Sequence, residues 1–163
     1  MARITVPEGP GGELVQVWGL SPELGTTVGN LSAAVYGERL IAPRVREVAR
    51  MKIAQINGCA VCMDWRFPEL EQRGVDEALY DGVADPAVGG YSAQEFLAIE
   101  YAEKFALDHR SIDDAFFERM KAEFSDAEIL ELTTMIGSWL AFGRLNAVLD
   151  ISEACAWAPR ARV

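Results

Sequence analysis

The chain has 163 residues, half of them hydrophobic and a quarter charged, and these proportions favour one globular domain over residues 1–163. Its formal net charge of −10 opposes binding to phosphate backbones and anionic lipids, so neither nucleic acid nor a membrane is an expected partner. No apolar run approaches the roughly 18 residues of a membrane span, and the N-terminus lacks the apolar core of a signal peptide. We therefore expect a cytoplasmic protein.

The first half of the chain carries the signals of two long helices. Ser21 is a typical N-cap with proline at the next position, and the apolar helical spacing that follows ends at Gly37. A second helix opens at Pro43 and stops at Gly58, because glycine readily adopts the left-handed conformation that ends helices.

A third helix is predicted over about 60–73, with Gly74 in the stop position. Pro68 lies inside this segment, where its ring would clash with the carbonyl group four residues earlier. We therefore expect a kink or a break in this helix near Phe67.

Two capping boxes open helices in the second half of the chain, each pairing a serine with a glutamate three residues later. A shorter helix is expected between them, and a glycine-rich loop precedes them. Together these signals predict an all-α bundle of about six or seven helices. The segments are the boxes Ser92–Glu95 and Ser125–Glu128, the helices near 93–108, 111–121 and 126–149, and the loop 82–90.

Two cysteines three residues apart, Cys59 and Cys62, stand at the start of the third predicted helix. A thiol reacts as its thiolate, and the free amides and positive dipole end of a helix start favour that anion. The two side chains lie on nearly the same helix face, so oxidation requires little movement to join them. The pair is therefore a candidate for cycling between dithiol and disulfide.

Two other interpretations of the pair remain open. The cysteines could be small buried apolar residues. They could also bind zinc, but a closed zinc site needs about four ligands, and only Cys155 and His109 remain, neither at ligand spacing. We therefore predict neither a metal site nor a cofactor. His109 is interpreted as a surface residue and Cys155 as an inert small one.

The residues that flank the pair form a fairly specific pattern. Glu47 stands twelve residues before Cys59, Gln55-Ile-Asn-Gly precedes the pair, and Asp64 follows it. This pattern, strongest over 43–74, resembles the carboxymuconolactone decarboxylase / alkyl hydroperoxidase D-like (AhpD-like) family.

The resemblance implies an all-helical AhpD-like fold and a homo-oligomer, often a trimer or a multiple of it. It also implies reduction of a small-molecule hydroperoxide or disulfide, with an external thiol reductant that restores the dithiol. In members with this motif the residue matching Cys62 is the reactive thiol, and the one matching Cys59 resolves it into a disulfide. The residue matching Glu47 joins a proton relay with a histidine four residues after the second cysteine.

At that last position this chain has Arg66. Arginine stays protonated, so it can stabilise a thiolate but cannot relay a proton near pH 7. If the chain reverses at the Asn-Gly turn, Glu47 and Arg66 lie about 15 Å and about 12 Å from it, at nearly the same level. We therefore predict a Glu47–Arg66 ion pair beside Cys62. The alternative for Glu47 is a solvated pair with Arg44 or Arg50.

Three functions remain open from the sequence. The first is a thiol-dependent antioxidant enzyme. The second is a decarboxylase-branch enzyme acting on a small lactone acid, for which Arg66 and Arg144 could supply the cationic site. The third is a non-catalytic redox-sensing oligomeric scaffold that keeps the dithiol but lacks the relay. Trp65 and Phe67 could line a pocket over the dithiol or belong to the core.

Overall fold

The computed structural model describes residues 2–37 and 39–151, and over these residues the chain is all-α, as predicted. Cys155 lies outside the described residues. The α-helices are α1 (Glu13–Trp18), α2 (Pro22–Tyr36), α3 (Pro43–Asn57), α4 (Ala60–Asp64), α5 (Glu77–Asp81), α6 (Ala93–Leu107), α7 (Asp114–Glu123) and α8 (Asp126–Leu149). Three short 3-10 helices lie between them, at Pro68–Arg73, Gly82–Ala84 and His109–Ser111.

The described part of the chain thus holds eight α-helices rather than the six or seven predicted. The two helices that were not predicted, α1 and α5, have only six and five residues. Such short segments cannot display the periodic apolar stripe by which a helix is recognised in a sequence. None of the described helices is long and apolar enough to cross a lipid bilayer.

Helix α3 is the centre of the bundle, with α6 and α8 packed along it. Ten consecutive residues of α3, 45–54, are buried, so this helix is covered on all sides. Its charged residues therefore need partners inside the protein. Helices α6 and α8 begin at the two predicted capping boxes, and both boxes form as predicted at Ser92 and Ser125.

The turn between α3 and α4 positions the two cysteines against α8. Gly58 adopts the left-handed conformation, with φ 62° and ψ 30°, which a side chain would disfavour. The side-chain amide of Asn57 donates to the carbonyl groups of Trp139 and Leu140, and its oxygen accepts from Arg144. The start of α4 is therefore held beside the middle of α8.

The predicted break in the third helix is confirmed, and it divides the segment into two separate elements. Helix α4 ends at Asp64, and both Trp65 and Phe67 have extended backbone conformations. Pro68 then opens a 3-10 helix, and the residue before a proline is disfavoured in a helical conformation. Gly74, at φ 77°, ends the 3-10 helix, as predicted.

Helix α2 is attached to the bundle mainly through its C-terminal end. Of its fifteen residues, only Val35 is buried. Space therefore remains between the first part of α2 and the surface formed by α3 and α8.

Candidate active site

Cys59 and Cys62 are joined by a disulfide, with their Cα atoms 5.2 Å apart. Cys59 is the N-cap of α4, and its sulfur accepts a hydrogen bond from the backbone N–H of Cys62 at 3.2 Å. The predicted position of the pair at a helix start is therefore confirmed. Cys59 is 2% exposed, whereas Cys62 is only partly buried and lines a cavity. A molecule in the cavity thus reaches Cys62 rather than Cys59.

Glu47 is the centre of a buried charge cluster, which consists of Arg46, Glu47, Arg50 and Tyr80. Its carboxylate accepts from Arg46 Nε at 3.1 Å and from Arg50 Nε at 2.7 Å. The Tyr80 hydroxyl donates to the same carboxylate at 3.0 Å. The Glu47 side chain is fully buried, so these three partners replace the water that an exposed carboxylate would bind.

Arg50 connects the buried charge cluster to the cysteine pair. Its Nη1 donates to the carbonyl oxygen of Cys62 at 2.6 Å, and its Nη2 donates to that of Trp65 at 3.1 Å. Burial opposes the charge of Arg50, but the Glu47 carboxylate together with the neighbouring Tyr36 and Tyr80 outweighs that effect, and the pKa of Arg50 lies above its ordinary value. Arg50 follows Glu47 by three residues, a spacing that places the two side chains on one helix face. The sequence thus indicated a Glu47–Arg50 contact, but as a solvated ion pair rather than a buried one.

The predicted Glu47–Arg66 ion pair is wrong. The Arg66 guanidinium instead forms a two-point pair with Glu77 of α5, at 2.8 Å and 3.0 Å. Helix α4 ends at Asp64, so the assumption of a continuous helical rise to position 66 failed. In addition, Arg50 already donates a hydrogen bond to the Glu47 carboxylate. Arg66 does not line the cavity, so no contact supports a direct effect of its charge on the sulfur.

The sequence did not indicate two tyrosines of this site: Tyr80, which belongs to the buried charge cluster, and Tyr36, which lies beside it. The Tyr80 ring faces Arg66, whose guanidinium carbon is 4.2 Å from the ring centroid, while its hydroxyl bonds to Glu47. Burial, with the Glu47 carboxylate adding to it, raises the pKa of Tyr80. Burial also raises the pKa of Tyr36 to about 12. Both phenols therefore keep their protons at neutral pH.

A cavity of about 630 Å³ opens onto Cys62 between α1, α2, α3 and α8. Arg50 is the one charged residue of its wall within the described residues. Of the two residues expected either in a pocket or in the core, Trp65 lines the cavity, whereas Phe67 packs against Tyr36 with ring centroids 5.1 Å apart. The aromatic residues of the wall are Trp18, Tyr36, Trp65, Trp139 and Phe142.

Gly143 of α8 lies directly beside the cysteine pair. A Cβ atom at this position would lie 3.5 Å from the sulfur of Cys62 and 2.7 Å from the side-chain nitrogen of Asn57. The absence of a side chain at Gly143 thus lets the Asn57 amide and the Cys62 sulfur approach the same point of α8.

The cations considered for a lactone acid do not line the cavity. Arg66 pairs with Glu77, and Arg144 donates to Asn57 and lines a separate shallow depression on the outer face of α8. His109 is exposed in a 3-10 helix, as predicted for a surface residue. Across the described residues, no three His, Cys, Asp or Glu side chains converge as a metal site would require.

No protein-family model matches the chain. The uncharacterized protein YnjA of Escherichia coli (strain K12) is 33% identical over 110 residues, which are 67% of this chain. The matched region spans 60% of the length of YnjA.

Solved structures share the fold over almost the whole chain. An uncharacterized peroxidase-related protein from Silicibacter sp. TM1040 superposes with a TM-score of 0.78 at 16% identity, covering 92% of this chain and 79% of the other. A protein of unknown function from Agrobacterium tumefaciens, a candidate antioxidant defence protein AhpD, superposes with a TM-score of 0.73 at 25% identity, covering 94% of this chain and 98% of the other.

The debrominase Bmp8 also has this fold, with a TM-score of 0.72 at 20% identity over 91% of this chain and 80% of its own. A single-residue variant of Bmp8 has been solved in complex with 2,3,4-tribromopyrrole. The AhpD-like all-α fold and the family resemblance seen in the sequence are therefore confirmed. Because a debrominase shares the fold, the fold alone does not determine the reaction.

Proposed function

We propose that this AhpD-like protein is a thiol-dependent antioxidant enzyme that reduces a hydroperoxide or a disulfide through Cys62 and Cys59. One observation carries the proposal: the pair forms a disulfide in which one sulfur borders a cavity while the other is buried behind it. That arrangement suits an attacking thiol and a resolving thiol. We place the enzyme in the cytoplasm, where thiol reductants are available, as a homo-oligomer such as a trimer.

With a hydroperoxide, the Cys62 thiolate attacks the terminal peroxide oxygen and the O–O bond breaks. The leaving alkoxide takes up a proton and departs as an alcohol, and Cys62 becomes a sulfenic acid. The Cys59 thiol then attacks the Cys62 sulfur, so that water leaves and the disulfide forms. An external dithiol reduces this disulfide by exchange and is itself oxidised, which restores both thiols.

The surrounding residues have separate roles in this proposal. Arg50, held by Glu47, fixes the backbone of Cys62 and is a positioning residue. The proton for the leaving alkoxide needs a donor other than Arg66, and Tyr36 presents a neutral phenol in the cavity wall. We assign the proton donation to Tyr36, and expect Tyr36→Phe to lower kcat with an organic hydroperoxide while Cys62 still forms a sulfenic acid slowly.

The proposal is tested by peroxide-dependent oxidation of a dithiol reductant. We expect Cys62→Ser to lower turnover at least about 100-fold, because the nucleophile is lost. Cys59→Ser should allow one round of sulfenic acid formation without rapid disulfide closure, and Cys155→Ser is the matched control that should retain turnover. Oxidation of the wild-type pair once, without turnover, would contradict the proposal and identify a redox sensor.

The decarboxylase alternative receives no support from the described site, because its one charged wall residue, Arg50, is already bonded to protein groups. Turnover of a lactone acid that persists in a variant lacking both Cys59 and Cys62 would restore that alternative.

A further inference from the structure

The cavity beside Cys62 is larger than hydrogen peroxide requires. Its volume of about 630 Å³ falls within the roughly 300–1,000 Å³ of small-molecule binding sites. A water-sized solute occupies only about 30 Å³. The cavity therefore has room for a sizeable organic group next to the sulfur.

The wall of the cavity has no cation available for an anionic ligand. Arg50, its one charged residue among those described, is 2% exposed. Each of its three side-chain nitrogens is already bonded, to Glu47 or to the carbonyl groups of Cys62 and Trp65. A carboxylate brought against this wall would lose its water without gaining a partner, so a neutral ligand is favoured.

Helix α2 keeps the space open with small side chains. Gly25, Gly29 and Ser32 recur four and three residues apart, on the helix face that lines the cavity. A Cβ atom on Gly29 would meet no other atom within 4 Å, so internal packing does not require glycine there. Glycine inside a helix is destabilising relative to alanine. What Gly29 preserves is volume in the cavity.

Trp139 contributes ring surface rather than a hydrogen-bond donor to the same wall. The residue lines the cavity and is 8% exposed, whereas its indole nitrogen is fully buried. A molecule in the cavity therefore contacts the Trp139 ring and does not reach its N–H.

We infer that this cavity binds an uncharged aromatic molecule, with its ring against the aromatic wall beside Cys62. The inference rests on the proposed function in one respect, namely that the hydroperoxide reduced by Cys62 is an uncharged aromatic one. Ring-to-ring packing favours such a ligand over an aliphatic one of the same size.

Binding is tested apart from catalysis with 2-phenyl-2-propanol, the alcohol that cumene hydroperoxide yields, and with benzoate, an anion of similar size. Each is titrated into the oxidised full-length protein and followed by calorimetry and by tryptophan fluorescence, which Trp18, Trp65 and Trp139 in the wall should report. We expect saturable binding of the alcohol and at least about tenfold weaker binding of benzoate. Equal affinities, or no saturable binding of the alcohol, would overturn the inference.

Position 29 provides a matched pair of variants. Gly29→Phe places a ring at the cavity, whereas Asn30→Phe places the same ring on the next residue, which is exposed and outside the wall. We expect Gly29→Phe to weaken alcohol binding at least about tenfold, and Asn30→Phe and Gly29→Ala to change it by less than about twofold. Equal effects of the two phenylalanines would place the ligand elsewhere and refute the inference.

Turnover separates this inference from the proposed function. We expect kcat/KM for cumene hydroperoxide to exceed that for hydrogen peroxide, and Gly29→Phe to reduce only the former. If the alcohol binds but neither peroxide is turned over, the proposed function fails while the ligand class stands. If both peroxides are turned over equally and the alcohol does not bind, the ligand class fails while the proposed function stands.

Discussion

The two sides of Cys62 differ in how they are built. On one side its backbone is held by Arg50, which is in turn held by Glu47 in a fully buried cluster of charges. On the other side its sulfur borders a cavity walled by aromatic rings and glycines. Buried charge in this chain therefore determines where the Cys62 sulfur lies, while space and ring surface determine which molecules can reach it.

On the charged side of Cys62, Glu47→Ala is expected to cause the largest loss in the free energy of unfolding. This substitution leaves Arg46 and Arg50 buried without a carboxylate, and removing one partner from a buried ion pair costs about 3–5 kcal/mol of unfolding free energy. Urea denaturation followed by circular dichroism measures the loss. The control is Glu118→Ala on α7, whose carboxylate is 75% exposed beside Lys121 and contributes about 0–1 kcal/mol. Similar losses in both variants would contradict this account.

Tyr80→Phe removes one hydrogen bond from the same cluster and keeps the ring against Arg66. Because the acceptor is a carboxylate, we expect a loss of about 1.5–3 kcal/mol in the free energy of unfolding. The comparison variant is Tyr91→Phe, whose hydroxyl donates to the neutral carbonyl group of Leu79 and should contribute only about 0.5–1.5 kcal/mol. A larger loss in Tyr91→Phe would show that the Glu47 carboxylate is not the stronger acceptor.

Alkaline pH should weaken the fold through Tyr36, which belongs to the cavity side. Its pKa is about 12 in the folded chain against an ordinary value of 10.0. The contribution of Tyr36 to the free energy of unfolding is fully present below pH 10.0 and is lost as pH rises through about 12. The reason is that the unfolded chain releases the Tyr36 proton at a lower pH than the folded chain does. Denaturation series between about pH 9 and about pH 11 should show a flatter decline in Tyr36→Phe than in the wild type. Equal pH dependence of stability in Tyr36→Phe and the wild type would contradict this prediction.

The smallest expected effect is that of Arg66→His on peroxidase turnover. A general base must lie within hydrogen-bond reach of the proton it accepts, and position 66 faces Glu77 and the Tyr80 ring rather than the cavity. We therefore expect a change of less than about twofold in kcat/KM. A large rise would show that a histidine at this position does reach Cys62, and that the missing relay limits the enzyme.

Much of the fold could be predicted from local chemistry. Helix α3 begins at Pro43 and ends at Asn57, and α8 spans Asp126–Leu149, in agreement with the predicted limits. These limits depend on proline, glycine and capping serines, whose effects act within one turn of a helix. The short helices α1 and α5 were missed because they have too few residues to form a periodic pattern.

The site was predictable only where it depended on near neighbours in the chain. The cysteine pair and its helix start follow from a spacing of three residues. Tyr80 is 33 residues from Glu47, so their contact exists only through the packing of α5 against α3. The Glu47–Arg66 prediction failed because the break after α4 altered the direction of the chain. The cavity depends on the distance that α2 keeps from α3 and α8, which no local pattern specifies.

The Asn57 bridge to α8 has a consequence for the chemical lifetime of the protein. Asparagine before glycine is prone to deamidate, since the glycine nitrogen can attack the side-chain carbonyl. Here the Asn57 amide is held by two carbonyl groups of α8, and the N–H of Gly58 is bonded to the carbonyl of Gln55. Deamidation of Asn57 should therefore proceed at the rate at which α3 and α8 separate. Once formed, an aspartate would direct a negative oxygen at the same two carbonyl groups and loosen the start of α4.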